Sequence, residues 1–85
     1  MMFKIIEQNN LMEVIILPYN YRFLSGKIRE VFGSQEKFSD AMKISPTTLS
    51  KKMNGIVPWK QLEIDRACNL LHLGHEYIPK LFFTL

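Results

Sequence analysis

Thr47, Ser50 and Lys51 are the residues of this sequence whose types and spacing suit recognition chemistry: two hydroxyls and a cation placed close together. A hydroxyl both donates and accepts hydrogen bonds, and an ammonium donates three. A helix that turns such groups outward can lie against base edges and phosphates in the major groove of duplex DNA. Thr48, Lys52 and Asn54 share the segment, and they too are expected on its outer face. Gln35 lies upstream, at the head of a preceding helix, where free amides and the helix dipole favour an anion.

Two short helices joined by a tight turn must position these groups, across Gln35 to Gly55. Phe38, Ala41 and Met42 are three and four residues apart and mark an inner face. Ser34 is placed to cap the first helix. Ser45 caps the second, and Pro46 occupies the first helical position, where its missing N–H is not needed. Leu49 and Met53 fall one turn apart on the buried side, and Asn54-Gly55 stops the helix with a residue tolerant of positive φ.

Gln35 at the head, Phe38 and Ile44 inside, Leu49 after the turn and the closing Met53-Asn54-Gly55 resemble the helix-turn-helix of lambda-repressor-like and Cro-like phage regulators. The sequence departs from that pattern at Ser39, where alanine is usual, and at Lys43, where glycine is usual in the turn. Lys43 must then reach a conformation that glycine reaches freely. The resemblance implies a mostly α, compact four- or five-helix domain over residues 19–85. It implies base contacts from Ser45, Pro46, Thr47, Ser50 and Lys51. With the helix-end positions of Gln35 and Asn54 and the charge of Lys52, it also implies that these three contact phosphates.

Charge supports the same surface. The 85 residues carry a net +3. Between Tyr21 and Lys60 there are eight cations (Arg22, Lys27, Arg29, Lys37, Lys43, Lys51, Lys52, Lys60) against Glu30, Glu36 and Asp40. The excess therefore sits with the helix-turn-helix, as a phosphate-binding surface requires. With 47% hydrophobic and 22% charged residues the chain can bury a core. Its single cysteine, Cys68, permits no internal disulfide. No apolar run spans a bilayer and no signal-peptide pattern is present, so the cytoplasm is the expected compartment.

Residues 1–18 contain two β-prone runs, MMFKIIE and LMEVIILP, separated by Gln8-Asn9-Asn10. They read as an N-terminal arm for packing or dimerisation, and Met12 offers an alternative start. Tyr21 to Phe32 forms the first helix, with Leu24, Ile28, Val31 and Phe32 on one face and Gly33 as the stop. Trp59 follows the recognition segment in an apolar loop. Leu62 to Leu71 gives the fourth helix, with Ile64, Ala67, Cys68 and Leu71 inward. The tail EYIPKLFFTL suggests a helical turn and then a short strand.

Cys68, His72, His75 and Glu76 have spacing that could approach a zinc ion, but Gly74 breaks the helix and Cys68 belongs to the core stripe, so no metal or other cofactor is expected. No phosphate loop, nucleophile elbow or metalloprotease motif occurs, so an enzyme and a small-molecule substrate are not expected. Double-stranded DNA is the expected partner, with no membrane involved. A homodimer is expected from the apolar ends Val14-Ile15-Ile16-Leu17 and Leu81-Phe82-Phe83, with strand pairing of these ends inside one chain as the alternative. The competing class is a protein-interaction module, an antirepressor or adaptor on the same fold.

Overall fold

The computed structural model describes residues 19–85. The N-terminal arm expected over residues 1–18, with its β-prone runs and the alternative start at Met12, lies outside the described residues. Five α-helices follow in order: α1 Arg22–Phe32, α2 Gln35–Met42, α3 Pro46–Met53, α4 Gln61–Leu70 and α5 Ile78–Phe82, with a single 3-10 turn at His75–Tyr77 before the last. No strand occurs among the described residues.

Local chemistry accounts for the boundaries. The Asn20 side chain accepts from the Arg22 N–H at 2.9 Å, so α1 begins one residue later than the pattern suggests and Tyr21 becomes its buried lead-in. Gly33 ends it at φ 86. Ser34 accepts from the Lys37 N–H at 3.2 Å, as its cap position requires. Lys43 takes the left-handed conformation, φ 63 and ψ 40, at the end of α2. A side chain there pays the strain that glycine escapes. Ser45 accepts from the Thr48 N–H at 3.0 Å and caps α3, and Gly55 takes φ 75 after it.

The core is one cluster fed by every helix: Leu24 and Ile28 from α1, Phe38 and Met42 from α2, Leu49 from α3, Ile64, Ala67 and Cys68 from α4, and Leu81 and Phe82 from α5. Trp59 is half-buried and stacks edge-on against Phe82, with ring centres 5.0 Å apart. Ser39 lies fully inside, and its hydroxyl donates to the Glu36 carbonyl at 2.6 Å, so serine substitutes for alanine without an orphaned group. Arg66 reaches from α4 to the Met42 carbonyl at 3.0 Å and ties α4 to the end of α2.

Three expectations require correction. The C-terminal segment is helical, because Leu81 and Phe82 are both buried. Adjacent residues in a strand point to opposite faces, whereas Ile78, Leu81 and Phe82 share one helical face. These two side chains are therefore covered within their own chain, and Tyr77, Phe83 and Leu85 are the tail's large apolar residues that remain exposed. Val31 is 39% exposed at the edge of the inner stripe, leaving Phe32 to pack edge-on against Phe38 at 5.3 Å. Met53 is half-buried, so Leu49 alone anchors the centre of α3 among its apolar side chains.

Candidate nucleic-acid interface

The helix-turn-helix is α2, the Lys43–Ile44–Ser45 turn and α3. Leu49 is fully buried beneath α3, and the 3.6-residue period then turns Thr47, Ser50 and Lys51 away from the core. Thr47 and Lys51 are exposed and Ser50 is half-buried. Ser45 and Pro46 are exposed at the N-terminal end of the same helix. Ser45 is already engaged, donating to the Thr48 hydroxyl at 2.9 Å while accepting from the Thr48 N–H. Thr47 and Lys51 consequently make the freest face, with no side-chain hydrogen bond or ion pair among the described residues.

Gln35 and Asn54 come together. They line one polar cleft with Tyr21, Arg22, Ser25 and Met53, where the starts of α1 and α2 meet the end of α3. Asn54 also donates to the Ser50 hydroxyl at 3.4 Å, linking the cleft to the outer face of α3. Arg22 and Ser25 belong to this cleft and escaped the sequence reading. The available signal was Arg22 at the start of α1, but only the crossing of α1 over the helix-turn-helix brings it beside Gln35.

Lys52 does not join them. Expected outward as a phosphate contact, it is 2% exposed. Its ammonium donates to the Pro58 carbonyl at 3.0 Å and pairs with Glu63 Oε1 at 2.9 Å, and it lies 5.9 Å from the centre of the Trp59 ring. The helical period explains this: Lys52 stands three residues after Leu49 and shares its inner face. A lone charge would not survive there, but Glu63 from the first turn of α4 compensates it. Burial pushes the Glu63 carboxyl up, while the hydrogen bonds from Lys52 and the Lys60 N–H and the charges of both lysines outweigh that, so it lies below its ordinary value. The basic face is correspondingly reduced by one charge.

The residues weighed as a metal site are dispersed. Cys68 is fully buried, and burial followed by the nearby Asp65 charge pushes its thiol up. His72 and His75 are exposed, and His75 faces Asp65 at 3.8 Å. Among the described residues no group of His, Cys, Asp or Glu converges as metal ligands would. None of their helices is long and apolar enough to cross a membrane.

Residues 17–84 match the family described as a protein of unknown function (DUF739). The solution structure of the modulator of repression (MOR) of the temperate bacteriophage TP901-1 from Lactococcus lactis is similar to this chain: 46% identical, with a TM-score of 0.70, over 76% of this chain and 88% of that one. No curated protein matches the chain.

Proposed function

The chain belongs to the DUF739 family, and we propose that it is a phage regulatory protein that modulates repression by inserting α3 into the major groove of double-stranded DNA, in the manner of Cro-like regulators. The observation that carries this reading is the outer face of α3. Thr47 and Lys51 are free and exposed there, with no large apolar anchor between them. A helix built to bind protein presents apolar or aromatic anchors at such positions. The polar cleft supports it from the side: Gln35, Asn54 and Arg22 line it together, and on this reading the two amides donate to a phosphate while Arg22 supplies the charge that Lys52 withholds.

The working form on DNA is a homodimer, because one recognition helix reads only a few base pairs and two half-sites one helical turn apart supply affinity and register. Such a protein works in the cytoplasm of its host. The decisive experiment is binding to duplex DNA as a function of salt, together with sedimentation at micromolar concentration. Arg22→Ala should weaken binding to all sequences and reduce the salt slope by roughly one unit. Absence of duplex binding at low salt refutes the reading.

A second reading has its own observation. With Lys52 withdrawn into the core, α3 exposes a single lysine, and the similar phage protein is named for modulating repression. On that reading the protein acts on a repressor as an adaptor or antirepressor. Absence of DNA binding combined with altered operator occupancy by a repressor distinguishes it.

A further inference from the structure

Gly26 stands in the middle of α1, where glycine destabilises a helix relative to alanine. Nothing among the described residues asks for it. Its backbone is not in the positive-φ region, and a Cβ built there meets no atom within 4 Å. Gly26 is exposed and lies at the bottom of a shallow depression on the outer face of α1, lined also by Arg22, Phe23, Lys27 and Glu30. Two cations converge on the half-buried Phe23: the Lys80 ammonium is 4.3 Å from its ring centre and the Lys27 ammonium 5.8 Å. Among the described residues Glu30, paired with Lys27 at 3.3 Å, is the only acid lining the depression, and Arg22 and Lys80 have no ion-pair partner.

We propose that this face is the seat of an acidic amphipathic helix from a partner protein, with its apolar stripe on Phe23, its backbone against Gly26 and its carboxylates at Lys27 and Lys80. A missing side chain lets two helices approach closely, and the surrounding cations select an anionic partner. Duplex DNA fits less well, because its phosphate rim offers no apolar group to Phe23. A second copy of this chain fits this face less well too, since an isologous pairing here would set Arg22, Lys27 and Lys80 against the same cations of the other copy. This surface adds to the DNA-binding reading and stands without it.

The test is an isotope-labelled titration of the full chain, following backbone amide resonances. The probe is a synthetic amphipathic helical peptide with leucines at i, i+3, i+4 and i+7 on one face and glutamates on the other. The expected result is shifts over Arg22 to Glu30 and at Lys80. Binding should weaken about tenfold or more in the K27E/K80E variant, through like-charge repulsion. Gly26→Ala separates partner from fold: it should raise Tm by about 2–8 °C, as alanine does in a helix, while weakening peptide binding several-fold. The proposal is overturned if the peptide leaves α1 unmoved or shifts α3 instead, or if both variants bind like the parent. It is also overturned if a duplex shifts Gly26 and Lys27 as strongly as Thr47 and Lys51, which makes the face nucleic-acid-binding. Concentration-dependent shifts at Gly26 without peptide assign it to a second copy and overturn it equally.

Discussion

Lys52→Met removes the buried charge while keeping most of the side chain's bulk. The ammonium is 2% exposed and holds both Glu63, at 2.9 Å, and the Pro58 carbonyl, at 3.0 Å. Removing one member of a buried pair costs roughly 3–5 kcal/mol, because the survivor keeps its desolvation without compensation. The Glu63 side chain is 16% exposed, so water reaches it and the lower end applies, about 3 kcal/mol. For a domain of this size each kcal/mol moves Tm by about 4–8 °C, so thermal unfolding should shift down by roughly 12–24 °C. Adding Glu63→Gln removes the stranded charge while an amide oxygen can still accept from the Lys60 N–H, as the carboxylate does at 2.8 Å. The double variant should therefore return to within about 1 kcal/mol of the parent, while Glu63→Gln alone should cost at least as much as Lys52→Met because it strands the more deeply buried ammonium, so the two changes are strongly non-additive. Circular dichroism melts of the four proteins complete the cycle. Below its melting point Lys52→Met should keep the parent's salt slope on DNA, since a buried ammonium releases no counterion from a phosphate. A loss under about 0.5 kcal/mol, within the usual range of surface changes, would refute the buried-pair account. So would failure of Glu63→Gln to rescue, or a slope smaller by one.

Thr47→Ala and Lys51→Ala should each relax operator preference by about 1–3 kcal/mol if they read bases directly, measured by competition between a selected site and its single-base variants; unchanged preference in both would remove them from base readout. Because the Glu63 carboxyl is held below its ordinary 4.5, its stabilisation is fully present above that pH and is lost as pH falls through the folded value. Urea unfolding of the parent should accordingly weaken more steeply on acidification than that of Glu63→Gln, and parallel acid limbs would contradict the assignment. Lys43→Gly relieves a φ of 63, worth about 1–2 kcal/mol, against a glycine entropy cost of about 0.5–1 kcal/mol. It should raise stability by about 0.5 kcal/mol in the same assay, and a net loss would indicate that the lysine side chain contributes elsewhere.

Much of the framework was legible because it follows from local chemistry. Ser34, Ser45, Pro46, Gly33 and Gly55 act on backbone groups within a few residues of themselves, so their positions alone locate the ends of α1, α2 and α3. The Leu24–Ile28, Phe38–Met42 and Ile64–Ala67–Cys68 stripes repeat at the helical period and reach the core as expected. Even the departure at Lys43 announced its left-handed turn. The tail's residue types are β-prone and point locally to a strand, whereas the spacing of Ile78, Leu81 and Phe82 describes the helical face that the core selects.

What the sequence determined by itself, then, was the helices, their caps and the outward placement of Thr47 and Lys51, all properties of residues close in the chain. Tertiary structure decided the fate of the charges. Whether Lys52 faces a phosphate or the interior depends on Glu63, which approaches only because the Pro58–Trp59 loop brings the first turn of α4 against the end of α3. Whether Gln35 and Asn54 act together, and with Arg22 rather than Lys52, depends on how α1 crosses the helix-turn-helix. A side chain's type and helical phase are written locally, but the free energy of a charge depends on which groups surround it, and in this fold those groups come from other helices.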